Sequence, residues 1–162
     1  MKLTPLPGLW LILASFAIAL IFNSLPLPMW LDRFRPDWVA MVLIYWSMVL
    51  PERVGIATGW TMGLVQDAAR GTLLGQHALA LTVIGYLTVR FRRRLSVYPL
   101  WQQAVTVGLL LLIRQILVFW IDGVIGYPPD DGWYLAPAIG GMLLWPWVLV
   151  VLRDLRRYYH VN

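Results

Sequence analysis

Six stretches of apolar residues, each stopped by prolines, glycines or charges, take up most of this chain, at about 8–22, 38–50, 54–70, 73–90, 100–121 and 133–152. Six membrane spans of roughly 20 residues would consume about 120 positions, which leaves only loops and tails from a chain of 162 residues. Apolar residues make up 60% of the sequence and charged ones 13%, whereas a soluble domain runs nearer half and a quarter. A surplus of that size cannot be hidden in the core of so small a globule. The expected fold is an all-α integral membrane protein, one polytopic domain over residues 1–162 with six transmembrane helices.

The chain has no cysteine, which excludes disulfides, Cys-type zinc sites, iron–sulfur clusters and thiol nucleophiles. Its net charge of +5 would suit nucleic acid in another setting, but here the placement of the charges matters more than their sum. Counted by alternate loops, Lys2, Arg53, Arg90, Arg92, Arg93, Arg94, Arg153, Arg156 and Arg157 fall on one side, and Arg33, Arg35 and Arg70 on the other. By the positive-inside rule the richer side is cytoplasmic, so both termini face inward. No nucleic-acid partner is expected.

The first run, Gly8 to Phe22, has a small-x-small triplet, Ala17-Ile18-Ala19, inside its apolar part and not after it, so an uncleaved span is expected. The second, Trp38 to Leu50, and the third, apolar from Val54 to Gln66, are short. At 1.5 Å per residue each reaches about 20 Å, against roughly 30 Å of hydrocarbon. They are thin or tilted spans or the arms of a re-entrant hairpin, with two spans favoured. Pro36 is placed to start the second helix, and Pro137 and Pro146 predict a bend in the sixth.

A row at four-residue spacing, Gly55, Gly59, Gly63, Asp67, Gly71, Gly75, lies along one helix face. Small residues there allow close helix packing, within the subunit or against another membrane protein. Asp67 invites a local pair with Arg70, a capping role where the helix breaks, or a function in the membrane. Arg114, inside the fifth run, can snorkel outward or pair across helices with a carboxylate such as Asp67. Gln102, Gln103 and Gln115 can hydrogen-bond between helices. Arg90, Arg92, Arg93 and Arg94 with Arg153, Arg156 and Arg157 form a basic collar that sets topology and attracts anionic lipid, or docks an acidic partner. Trp145 and Trp147 read as interfacial anchors, with partner contact second.

His77, read as interfacial, and His160 are too far apart in sequence for a metal site. Nucleophile elbows, phosphate-binding glycine loops and paired carboxylates within a span are missing. The reading is a protein that is not an enzyme and carries no metal or cofactor.

Several ordered landmarks carry a family resemblance. They are Phe34-Arg35-Pro36-Asp37-Trp38, Tyr45-Trp46 with Leu50-Pro51, Gly63-x-x-x-Asp67-x-x-x-Gly71-x-x-x-Gly75, Leu100-Trp101-Gln102-Gln103 and Leu144-Trp145-Pro146-Trp147. With the size and six-run layout, they closely resemble the MreD family of bacterial rod shape-determining proteins. The resemblance implies an inner-membrane subunit of the cell-elongation machinery, acting with the bitopic protein MreC and the actin-like filament protein MreB. The wider complex includes the glycosyltransferase RodA and a class B penicillin-binding transpeptidase. It also implies a fold similar to the substrate-binding subunits of energy-coupling-factor vitamin transporters, and no catalytic residue. The expectation is then that an MreC-like helix packs near Gly55, Gly59, Gly63 and Asp67, so that Gly63→Leu breaks the complex but not insertion. The rival is a vitamin-binding transporter subunit with a polar, aromatic-lined pocket under the Asp122–Trp133 loop. A lipid or drug transporter would want acids deep in the membrane.

Overall fold

A computed structural model describes residues 8–126 and 135–160 of the chain. Seven helices follow one another in these residues: α1 (Leu9–Ser24), α2 (Met29–Asp32), α3 (Trp38–Val49), α4 (Ile56–Arg70), α5 (Gln76–Val97), α6 (Leu100–Ile125) and α7 (Ala136–Tyr158). By length and composition α6 and α7 can each cross a membrane, and α1 and α3 are shorter apolar helices. Lys2, the acidic and aromatic stretch 127–132 and the start of the sixth run at Trp133 lie outside the described residues.

The bundle is built around α3. Every residue from Val39 to Met48 is buried, because a helix that is apolar on all faces has no side to give to water. It touches α1, α5 and α7, and more lightly α4 and α6. Trp46 Nε1 donates to Ser15 Oγ of α1 at 2.9 Å, which satisfies the one polar atom of a fully buried ring. Twelve residues reach only about 18 Å, and the surrounding helices shelter the polar ends of so short an element.

Sequence boundaries and helix boundaries part at the charges. α5 runs through Arg90, Arg92, Arg93 and Arg94 to Val97, and α7 runs through Arg153, Arg156 and Arg157 to Tyr158. The basic tail is therefore helical, since charge halts an apolar run but not a hydrogen-bond ladder. α5 starts three residues later than the apolar run, after Gly75 in a left-handed conformation (φ 103°). Pro36 does not begin α3; the N-cap is Asp37, whose side chain accepts from the amides of Val39 and Ala40. Pro137 sits in the first turn of α7, where no donor is needed, and α7 continues through Pro146. The four-residue α2, after Pro26 and Pro28, has no counterpart in the apolar pattern.

The ends of the helices gather in two groups. The start of α1 meets the start of α4, with Leu9 and Ile12 across a cavity from Arg53 and Val54, and meets the end of α7, where Trp10 packs edge-on to Tyr159 at 4.6 Å. Gln103, at the start of α6, donates to the Leu95 carbonyl near the end of α5 at 2.9 Å. At the opposite end Asn23 of α1 meets Asp37, and Gln76 of α5 donates to Asp122 of α6 at 2.5 Å. Leaving aside α2, successive helices thus run in alternating directions.

Candidate functional site

The glycine row divides by role. A Cβ on Gly59 would lie 2.6 Å from the Leu81 carbonyl oxygen, and one on Gly63 2.2 Å from the Ala78 Cα. From the other side, a Cβ on Gly85 would lie 2.9 Å from the Gly55 carbonyl oxygen. α4 and α5 therefore meet backbone to backbone, the close approach that small residues permit. Gly71 and Gly75 have nothing within 4 Å but positive φ of 68° and 103°, which close α4 and open α5. The expectation that Gly59 and Gly63 offer a face to a partner's helix is corrected: α5 of the same chain covers them, and Gly55 faces Val89 and Gly85 of the same helix.

Asp67 is wholly buried and faces the beginning of α5. Its carboxylate accepts from the Gly75 amide at 2.9 Å, the His77 amide at 3.0 Å, the Thr72 hydroxyl at 2.8 Å and His77 Nδ1 at 2.7 Å. It serves α5 as a cap supplied from the preceding helix, and it does so in place of a pair with Arg70. His77 is likewise buried and not interfacial, because that hydrogen bond draws its ring inward. Asp67→Ala leaves these donors without an acceptor and should cost about 2 kcal/mol, read as a lower midpoint in far-UV circular dichroism melts. An unchanged midpoint would remove the capping role.

A second carboxylate, unmarked as a site in the sequence, gathers four elements. Asp37 Oδ1 accepts from the Val39 amide at 3.1 Å and from Asn23 Nδ2 of α1 at 3.0 Å. Gln66 Nε2 of α4 lies 3.3 Å from Oδ2, and Arg114 Nε of α6 lies 2.5 Å from the same oxygen. Asp37 and Arg114 are both buried, 6% and 5% exposed. Arg114 thus neither snorkels nor meets Asp67: it is held inside the bundle against Asp37. One signal was available, since an Asp directly before an apolar run marks a helix start. Its partners from α1, α4 and α6 come from distant parts of the chain and left no local pattern.

Beside this pair a cavity of about 280 Å³ is lined by Arg35, Arg70, His77, Arg114 and Asp122, among others. Such a lining can hold a polar or charged group. Thr72 Oγ1 and His77 Nδ1 both hydrogen-bond to Asp67 and lie 3.5 Å from each other. Among the described residues no group of three or more His, Asp or Glu is placed to hold a metal.

The two tryptophans face opposite ways. Trp145 is fully buried and donates from Nε1 to Gln103 Oε1 at 3.2 Å, so it is a core residue and not an anchor at the interface. Trp147 is 73% exposed and borders an apolar groove of about 240 Å³ between α1 and α7, with Leu11, Ile18, Phe22 and Val151. In the basic collar Arg90, Arg93, Arg94 and Arg157 are exposed, while Arg92, Arg153 and Arg156 are half-buried.

A family model described as rod shape-determining protein MreD matches residues 7–155. A curated protein from Haemophilus influenzae, named rod shape-determining protein MreD, is 32% identical over 146 residues, covering 90% of each chain. No solved structure matches.

Proposed function

We infer the role of this chain from its family: it belongs to the MreD family of rod shape-determining proteins. Membership makes it a membrane protein with a part in determining rod shape, in keeping with its long apolar helices. We propose further that it is a non-enzymatic, multi-pass subunit of the cell-elongation complex in the bacterial inner membrane. In that reading α1 and α3 to α7 cross the bilayer, and the end bearing Arg53, Arg90–Arg94 and Arg153–Arg157 is cytoplasmic, as the positive-inside rule asks. The chain binds an MreC-like bitopic protein and helps organise peptidoglycan synthesis. Through that assembly it works beside an MreB-like filament, a RodA-like glycosyltransferase and a class B penicillin-binding transpeptidase.

The observation that carries the reading is the groove between α1 and α7. Its lining is aliphatic and aromatic, and Ala14, Ser15 and Ala19 form part of it, so another helix can come close. A single membrane-spanning helix of an MreC-like protein is the proposed occupant, with Trp147 on the rim as a contact. The row Gly55, Gly59, Gly63 contributes by holding α4 to α5, with Asp67, Gly71 and Gly75 shaping the turn between them. Affinity capture of the chain from native membranes in mild detergent should recover an MreC-like bitopic protein with cell-wall synthases. Recovery of an ATPase pair with a coupling membrane subunit would overturn the reading.

That second outcome corresponds to a vitamin-binding subunit of an energy-coupling-factor-type transporter. The observation in its favour is the polar cavity beside Asp37 and Arg114.

A further inference from the structure

At the end of the bundle that holds the basic collar, a separate cavity of about 390 Å³ opens between α3, the α5–α6 turn and α7. One part of its wall is aliphatic, with Leu149 and Val150; the other carries Tyr45, Ser96, Tyr98, Gln103, Arg153 and Arg156. No Asp or Glu lines it, and neither arginine forms an ion pair among the described residues. Two partly buried cations without a counter-ion are costly. The Tyr45 side chain, 1% exposed, turns its buried hydroxyl toward Arg156 without a well-formed hydrogen bond, and Arg153 Nε is buried and unpartnered as well. Each such atom destabilises the fold while it stays unpaired.

One ligand chemistry answers all of these features together. A phosphate group accepts several donors at once, and guanidinium forks match its oxygens. It brings the missing negative charge, and a hydrocarbon attached to it would cover the aliphatic wall. A free inorganic phosphate would leave that wall wet. We propose that this cavity is a specific site for the headgroup phosphate of an anionic phospholipid. Arg153 and Arg156 supply the guanidinium donors, and Tyr45 supplies its hydroxyl. The site narrows the diffuse attraction of the whole collar for anionic lipid to three side chains from α3 and α7. It depends on the chain being a membrane protein and not on which partner the complex contains.

The test uses the full chain in phosphatidylcholine nanodiscs doped with phosphatidylglycerol, with retained lipid counted by native mass spectrometry. Wild type should carry a phosphatidylglycerol. Arg153→Gln with Arg156→Gln should weaken retention by roughly tenfold for each arginine, the loss of a charge-assisted hydrogen bond to the phosphate. Tyr45→Phe, which removes only a hydroxyl and fits the same space, should weaken it about fivefold. Arg92→Gln with Arg93→Gln removes the same charge outside the cavity and should weaken retention clearly less than the cavity double variant, since a collar charge acts only through the diffuse surface potential. Equal losses in both double variants, an unchanged Tyr45→Phe, or displacement of the lipid by millimolar inorganic phosphate would each overturn the proposal.

Discussion

Gly63→Leu should disrupt the packing of α4 against α5, so that the purified variant melts well below wild type or fails to fold at all. The added Cβ alone would stand 2.2 Å from the Ala78 Cα and 2.5 Å from its amide nitrogen. Overpacking ordinarily costs 1–3 kcal/mol because side chains move aside. Here the obstacle is a helix backbone, so the penalty should be about 3 kcal/mol or more. Gly71→Ala is the matched control, with nothing within 4 Å of the new methyl and only the left-handed φ of 68° to oppose it. It should cost about 1–2 kcal/mol. Circular dichroism melts with size-exclusion profiles in detergent give the readout. A Gly63→Leu variant that melted like wild type and had lost only a partner would restore the external docking face that the packing argues against.

The buried pair should produce the other large effect. Asp37→Ala strands the Arg114 guanidinium inside the bundle, and removing one member of a buried ion pair costs about 3–5 kcal/mol. Asp37 also caps α3, which adds about 1 kcal/mol. Arg114→Met removes the cation instead and leaves the Asp37 carboxylate with its amide donors from Val39, Ala40, Asn23 and Gln66. It should therefore be the milder single change. The double variant, Asp37→Asn with Arg114→Met, keeps a cap and strands no charge, so it should recover much of the loss, as replaced buried pairs do. A thermodynamic cycle over wild type, Asp37→Asn, Arg114→Met and their double variant measures the coupling. Strictly additive losses would mean that the contact contributes no interaction energy of its own.

What the sequence made legible follows from how local each signal is. Runs of apolar residues bounded by Gly71 and Pro99 mark where helices stop and start, and α6 begins at Leu100 as the run does, but it continues past the run's end at 121 through Asp122 to Ile125, capped by Gly126. The four-residue spacing of Gly55, Gly59 and Gly63 announces close packing, because every residue in it shares one face. It cannot say whose helix fills that face. From sequence Arg114 can snorkel or pair with a carboxylate such as Asp67, and nothing local points to Asp37 as its partner. The turn after α4 had already committed Asp67 to the amides of α5, and only the folded chain reveals that local donors won. Trp145 and Trp147 carry a cue that could have been used. Two residues apart on a helix they point about 200° apart, so one of them had to face inward if the other faced out.

The enclosure of α3 also bears on the order in which the chain is made. α3 leaves the ribosome ahead of α5, α6 and α7, the neighbours that will cover it. Twelve residues are too few to be held as a span on their own, and synthesis proceeds at only about 5–20 residues per second. For seconds, then, the centre of the molecule is its least settled element. The last helices to emerge complete the wall around it, so the C-terminal half of the chain decides whether the N-terminal half keeps its place.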